Sequence, residues 1–163
     1  MSKLYVDELH PKTAGKHIAF PSKPAFAARL QTITTVTDNT WIKVPFDTLE
    51  FDQDDNFSLT NDRFTAPVDG VYHFSGYINF PNVMAVDKKG YMAFKKNGTD
   101  YYYSFGIGVN GEDIEGDLTI CSSITLKLDA DDYLELWCYQ DSASTAQLRG
   151  GSQRTRFSGF LVA

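Results

Sequence analysis

Gly106-Ile107-Gly108-Val109-Asn110-Gly111 has the letter pattern of a dinucleotide-binding turn. Its glycines would bring the backbone close to a pyrophosphate at a helix N-terminus. Glu112, Asp113, Glu115 and Asp117 follow at once; they carry no helical pattern and would repel phosphate. The segment is expected to be an acidic loop between two strands. Asp52, Asp54 and Asn56 fit the opening ligand positions of a calcium loop, which also needs a later glycine and a closing glutamate. Phe57 and Arg63 stand at those places. An EF-hand is excluded, and the choice is between a looser calcium site on these loops and a solvated acidic surface.

His10, His17 and His73 are the 3 histidines of the chain, and none has partners at metal-ligand spacing. No nucleophile motif accompanies them. The sequence therefore presents no catalytic, cofactor-binding or metal-ligating set, and no enzymatic activity or cofactor is expected. Cys121 and Cys138 are too few for a disulfide scaffold and read as reduced, partly buried thiols. Arg149, Arg154 and Arg156 surround Gly150-Gly151; pairing with acidic groups of neighbouring subunits suits them better than nucleic acid. Tyr101-Tyr102-Tyr103, Tyr133, Trp137 and Tyr139 could line a subunit interface or a carbohydrate surface, and packing between subunits is favoured.

Strands must position these side chains. Ala25–Leu30, Trp41–Phe46, Val71–Phe80, Gly90–Lys95, Tyr101–Phe105, Leu118–Leu128, Tyr133–Tyr139 and Arg156–Val162 are the clearest runs. Turn clusters such as Thr37-Asp38-Asn39, Lys96-Asn97-Gly98 and Asp129 to Asp132 separate them. Leu118, Ile120, Ile124, Leu126 and Leu128 fall on one face, opposite Thr119, Cys121, Ser123, Thr125 and Lys127. No window holds helical periodicity over three turns. The aromatic fraction of 14% suits β-structure. An all-β sandwich or barrel follows, with a jelly-roll β-sandwich the expected form.

Within this frame Ala25-Phe26-Ala27-Ala28-Arg29, Phe46-Asp47, the string from Phe64 through Pro67, Gly70 and Tyr72 to Phe74, and the closing Phe157-Ser158-Gly159-Phe160-Leu161 resemble a known family. It is the globular head of the complement first component q subcomponent, which shares a jelly roll with tumour necrosis factor. The resemblance spans about residues 25–163. It implies a homotrimer with the chain termini gathered at one end. Pro67 and Gly70 would make the turn into a strand, and Gly159 would sit where another backbone comes close. The family has Gly-Asp before its penultimate strand where this chain has Asp131-Asp132.

Residues 1–24 differ in kind. Pro11, Pro21 and Pro24 block a regular helix, so an extended N-terminal arm precedes the jelly roll of residues 25–163. Lysines at 3, 12, 16 and 23 outnumber Asp7 and Glu8 in the arm, whereas the whole chain carries a net charge of −6. That acidic balance argues against nucleic acid as a partner. No transmembrane-length or signal-peptide stretch is evident, so synthesis in a cytoplasm and no membrane association are expected. Leu4, Val6, Leu9, Ile18 and Phe20, with Lys12 beside them, are the candidate attachment residues, having no evident place in the sandwich. Leu4 to Leu9 and Pro11 to Gly15 resemble segments near the starts of tailed-bacteriophage fibre and head-surface proteins.

The combined expectation is a virion structural protein. It would be a capsid decoration, or cement, protein that binds the major capsid protein on the head surface as trimers. The alternative is a tail or head fibre tip recognising a host-surface glycan or protein. The lack of a repeat shaft between Ala14 and Ala25 favours decoration.

Overall fold

Phe26 is fully buried between Phe57 and Phe64, its ring stacked on them at centroid distances of 4.8 and 5.0 Å, with the edge of Phe157 also 5.0 Å away. Two antiparallel sheets close over this cluster. The computed structural model describes residues 23–81, 89–108, 117–142, 144–151 and 154–163, with the backbone alone over 100–108. The arm residues Leu4, Val6, Leu9, Lys12, Ile18 and Phe20, like His10 and His17, lie outside the described residues.

The strands in chain order are β1 (Ala25–Arg29), β2 (Thr34–Val36), β3 (Ile42–Lys43), β4 (Thr48–Gln53), β5 (Phe57–Ser58), β6 (Arg63–Thr65) and β7 (Gly70–Phe80). Then come β8 (Lys89–Lys96), β9 (Asp100–Gly108), β10 (Leu118–Leu128), β11 (Tyr133–Gln140), β12 (Ala146–Leu148) and β13 (Arg156–Leu161). The first sheet runs β10-β7-β13-β1-β4; the second runs β5-β6-β11-β8-β9, with β3 also on β11; β12 and β2 form a small ribbon. All pairings are antiparallel. The described residues contain no helix.

Alternation places the core. Along β7, Tyr72, Phe74 and Ile78 point inward and are fully buried, as are Leu134, Leu136 and Cys138 of β11. Each large apolar side chain withdrawn in this way contributes roughly 1.5–3 kcal/mol. The expected inward face of β10 is observed, from buried Leu118 and Ile120 to buried Leu128. Gln140 is buried too, and its amide is satisfied: Nε2 donates to the carbonyls of Val36 and Ser144, and Oε1 accepts the Ser142 N–H.

Turn chemistry follows the residues. Asn97 and Gly98 have φ of 52° and 74°, the left-handed pair that closes a tight hairpin between β8 and β9. Asp131 has φ 70°, where the resembled family carries glycine; aspartate is among the few side chains that tolerate this region. The Tyr72 hydroxyl donates to the Val68 carbonyl at 2.8 Å and ties down the turn through Pro67 that leads into β7.

Three details differ from the sequence expectation, and a fourth takes a form that the sequence left open. The run Trp41–Phe46 forms only the two-residue β3, because Val44 alone continues it, through its N–H to the Leu136 carbonyl. Gly106 to Gly108 close strand β9 instead of opening a loop, and Val109 to Glu115 lie outside the described residues. Gly159 faces aromatic rings instead of a backbone: an added Cβ would lie 2.7 Å from Phe74 Cε1 and 3.0 Å from Phe26 Cε1. Asp52 takes part in a turn, its carboxylate accepting the N–H groups of Asn56 and Phe57 at 3.2 and 2.8 Å, while Asp54 and Asp55 take positive φ. The calcium-loop spacing is thus occupied by a capped turn between β4 and β5.

Candidate functional site

Pairing register builds an aromatic row on the outward face of the second sheet. Tyr139 of β11 lies opposite Tyr91 of β8, and Cys138 lies opposite Ile42 of β3, which brings Trp41 to the other side of Tyr139. The three rings meet at 5.5 Å (Trp41 to Tyr139), 5.8 Å (Tyr91 to Tyr139) and 6.3 Å (Trp41 to Tyr91), with interplanar tilts of 37–55°. Together with Lys89 and Asp141 they line a solvent-open cleft of about 470 Å³. The Tyr139 hydroxyl donates to Asn39 Oδ1 at 2.9 Å, and the Asn39 N–H donates to the Gln140 carbonyl, so the turn at Asp38-Asn39 is tied to the Tyr139 end of the row. Asp141 accepts the Lys89 N–H on its carboxylate, and its own N–H donates to the Lys89 carbonyl. Burial, with the carboxylates of Asp141 and Asp38, raises the Tyr139 phenol above its ordinary pKa, so it remains a neutral hydroxyl.

Next along the same face, Trp137 donates from Nε1 to Glu135 Oε2 at 2.9 Å and carries the Lys95 ammonium 3.4 Å over its ring. Lys43 pairs with Glu135 at 3.1 Å. Burial raises the Asp62 carboxyl to about 6 against the opposing pull of Lys43. These groups are engaged with one another, whereas the Trp41–Tyr91–Tyr139 cleft opens to solvent.

The outward face of the first sheet has a different character. Phe160 lies opposite His73 and Ala25, and Phe51 opposite Ala27. Phe51, Val71 and Phe160 are exposed, with short polar residues such as Ser75 and Thr125 beside them. His73 Nδ1 is 2.9 Å from Thr125 Oγ1, and its ring rests on Phe160. His73 thus stands on the face opposite buried Tyr72 and Phe74, as the alternation implies.

The remaining candidates separate. Tyr133 carries the Arg63 guanidinium 4.3 Å over its ring, away from Tyr139. Arg149 and Arg154 share the Asp117 carboxylate, and Arg29 and Arg156 share Glu50, so each pair of guanidiniums has one carboxylate within the chain and keeps one positive charge over. Cys121 and Cys138 are both free and lie on strands of different sheets; Cys138 is buried as expected, whereas Cys121 is exposed. Among the described residues no cluster of His, Cys, Asp or Glu could hold a metal ion. Trp41 and Tyr91 were not recognisable as partners of Tyr139 from spacing, since 98 and 48 positions separate them from it in the sequence; a register for β3 and β8 against β11 would have been needed.

The C1q domain matches residues 25–162. The chain belongs to the C1q-domain family. Solved structures agree on the fold. The globular domain of zebrafish complement 1qA superposes with a TM-score of 0.62 at 18% identity, over 86% of this chain and 98% of that one. Murine APRIL gives 0.60 at 11% identity, covering 86% and 100%, and the Eiger TNF of S. frugiperda gives 0.59 at 13%, covering 86% and 93%. The expected jelly roll shared with tumour necrosis factor is therefore observed. The uncharacterized protein YqcC of Bacillus subtilis (strain 168) is 27% identical over 109 residues, 60% of this chain and 27% of that protein. The chain thus spans well under half of that relative's length. Domains of the C1q and tumour necrosis factor type form homotrimers and are generally non-enzymatic.

Proposed function

We propose that this C1q-domain protein is a non-enzymatic homotrimer that decorates the capsid of a tailed bacteriophage. Its arm would grip the major capsid protein. The observation that carries the trimer is the exposed apolar set Phe51, Val71 and Phe160 on the outward face of the β10-β7-β13-β1-β4 sheet. A face of this kind on a soluble domain calls for a cover, and three copies around an axis cover one another.

The start of the described chain lies against the end of β13. Leu161 donates its N–H to the Pro24 carbonyl at 2.9 Å, and Lys23 Nζ donates to the Val162 carbonyl at 3.0 Å. Lys23 and Pro24 are thereby held beside the end of β13, the strand that carries Phe160 on the proposed trimer face. Three arms leaving one end of a rigid trimer would bind with avidity. Leu4, Val6, Leu9, Ile18 and Phe20 would bury against the shell, and the arm's lysines, Lys12 among them, would meet acidic groups there. The capsid surface would then be the protein's location, after synthesis in the host cytoplasm.

Removing residues 1–24 tests this reading. The expected product is a folded trimer that no longer coats capsids stripped of the protein, with Val6→Asp and Leu9→Asp weakening attachment in the full chain. Arm-deleted trimers that coat such capsids at normal occupancy would overturn it. A second reading, a fibre tip that recognises a host surface, is favoured by one observation: the open aromatic cleft on the second sheet. Adhesion of full-length protein to host cells, together with no binding to capsids, would select it.

A further inference from the structure

We infer that the cleft lined by Trp41, Tyr91, Tyr139, Lys89 and Asp141 is a binding site for one neutral pyranose unit of a glycan. The inference concerns the cleft's ligand and holds whether the trimer sits on a head or at a fibre tip.

The rings set the class of guest. Aromatic side chains that pack in a core are buried, whereas these three are half-buried and open to solvent on one side. Their mutual tilts of 37–55° make a concave apolar surface instead of a flat stack. A pyranose presents C–H bonds on its faces and hydroxyls around its edge, so it places polarised hydrogens on the negative π-faces. About 470 Å³ falls within the roughly 300–1,000 Å³ usual for small-molecule sites.

The rim sets its charge. Lys89 offers donors and Asp141 acceptors at the rim, and the Asp38 carboxylate near Tyr139 leaves no excess of positive charge around the cleft. A phosphate or carboxylate ligand would meet Asp141. A quaternary ammonium, the usual guest of an aromatic cage, would meet the Lys89 ammonium. A neutral polyol uses both: one hydroxyl donates to the carboxylate while another accepts from the amine.

The site is also held in advance. Asn39 fixes the Tyr139 hydroxyl at 2.9 Å, and Tyr91, Tyr139 and Trp41 sit side by side on adjoining segments of one sheet. Little ordering therefore remains for binding to accomplish. A second protein surface would need a far wider contact than this cleft provides.

The test titrates the full-length protein with the methyl pyranosides of glucose, galactose and mannose and with N-acetylglucosamine, by calorimetry and tryptophan emission. Only Trp41 and Trp137 emit. At least one sugar should saturate with a dissociation constant in the millimolar range, about −4 kcal/mol. Tyr139→Ala should weaken binding by about tenfold or more, the loss of one ring face. Lys89→Ala, at an exposed side chain, and Asp141→Asn should each weaken it about threefold to tenfold with unchanged melting temperature. Lys127→Ala, on the other sheet, should leave binding as it was. The inference is overturned if no pyranoside saturates, or if binding survives both Tyr139→Ala and Asp141→Asn. It is equally overturned if tetramethylammonium binds where sugars do not, or if Trp41→Ala dissociates the trimer while no sugar titrates, which would make the cleft a subunit contact. Failure of the full-length protein to bind stripped capsids, with sugar binding intact, would remove the decoration reading and leave this one standing.

Discussion

Phe160 of β13 and His73 of β7 face each other across the first sheet with ring centroids 5.5 Å apart, and Phe160 still leaves 48% of its surface in water. A phenylalanine half-exposed at the centre of a sheet face is the residue most in need of a partner chain. Phe160→Asp should therefore yield a folded monomer. Each copy would lose an apolar contact of roughly 1.5–3 kcal/mol and bury a charge instead. Light scattering at micromolar concentration should show the mass fall to one third, with the β-sheet circular dichroism unchanged. Wild-type protein that is already monomeric would remove the trimer altogether.

Gly159 is fixed by packing instead of by conformation. Its φ is not in the left-handed region, yet an added Cβ would press into the Phe74 ring and approach Phe26. Gly159→Ala should cost about 1–3 kcal/mol, the usual penalty for overpacking a tight site, read from a denaturant melt. Phe74→Leu alone also destabilises, but the double variant should lose less than the sum of the two, because the shorter side chain makes room for the methyl.

Two carboxylates give opposite pH responses. Hydrogen bonds from Lys96 and Asn97 hold Asp132 down at about 2, below the ordinary value of about 3.9. Its contribution is complete above about pH 4 and is lost as the pH falls towards 2. Burial raises Asp62 to about 6. The folded state then keeps a proton that the unfolded chain releases, so stability declines as the pH rises from about 4 to 6 and stays lower above that. Asp62→Asn should raise the melting temperature at pH 7 and remove this decline. Asparagine also accepts the φ of 47° that Asp62 adopts. Asp132→Asn should lower the melting temperature at pH 7 and flatten the acid limb. A melt series from about pH 2 to 8 on both variants would check the signs.

What the sequence discloses depends on strand length and on where partners lie. β7, β10, β11 and β13 have enough alternating positions for their inward faces to be read directly. β2, β3, β5, β6 and β12 have only two or three residues each, too few to show a period, and tertiary contacts alone define them. The sequence singles out Tyr139 among its aromatic residues, but the cleft requires the register that sets Tyr91 and Trp41 on either side of it. The partner of the arginine loop within the chain is hidden for the same reason: Asp117 meets Arg149 and Arg154 only once the sheets have formed. The attachment residues of the arm rest on the sequence alone.

The two thiols report on the assembly. Cys121 is exposed and pairs across β10 and β7 with Tyr77, which puts it on the same outward face as His73 and Phe160. Cys138 is fully buried between the sheets, and burial pushes its thiol well above the ordinary range, so it supplies almost no thiolate. A trimer built on the first sheet should shield Cys121 as well as Cys138. Wild-type protein is therefore expected to react slowly with a thiol reagent such as DTNB under native conditions. The Phe160→Asp monomer should release one fast equivalent per chain, assigned to Cys121 by its absence in a Cys121→Ser background, while Cys138 reacts only on unfolding. A rate set by opening of the trimer should also rise on dilution, which reaction of a permanently exposed thiol would not. Equal and rapid labelling of Cys121 in wild type and variant, at every protein concentration, would place the subunit contact elsewhere than on this sheet.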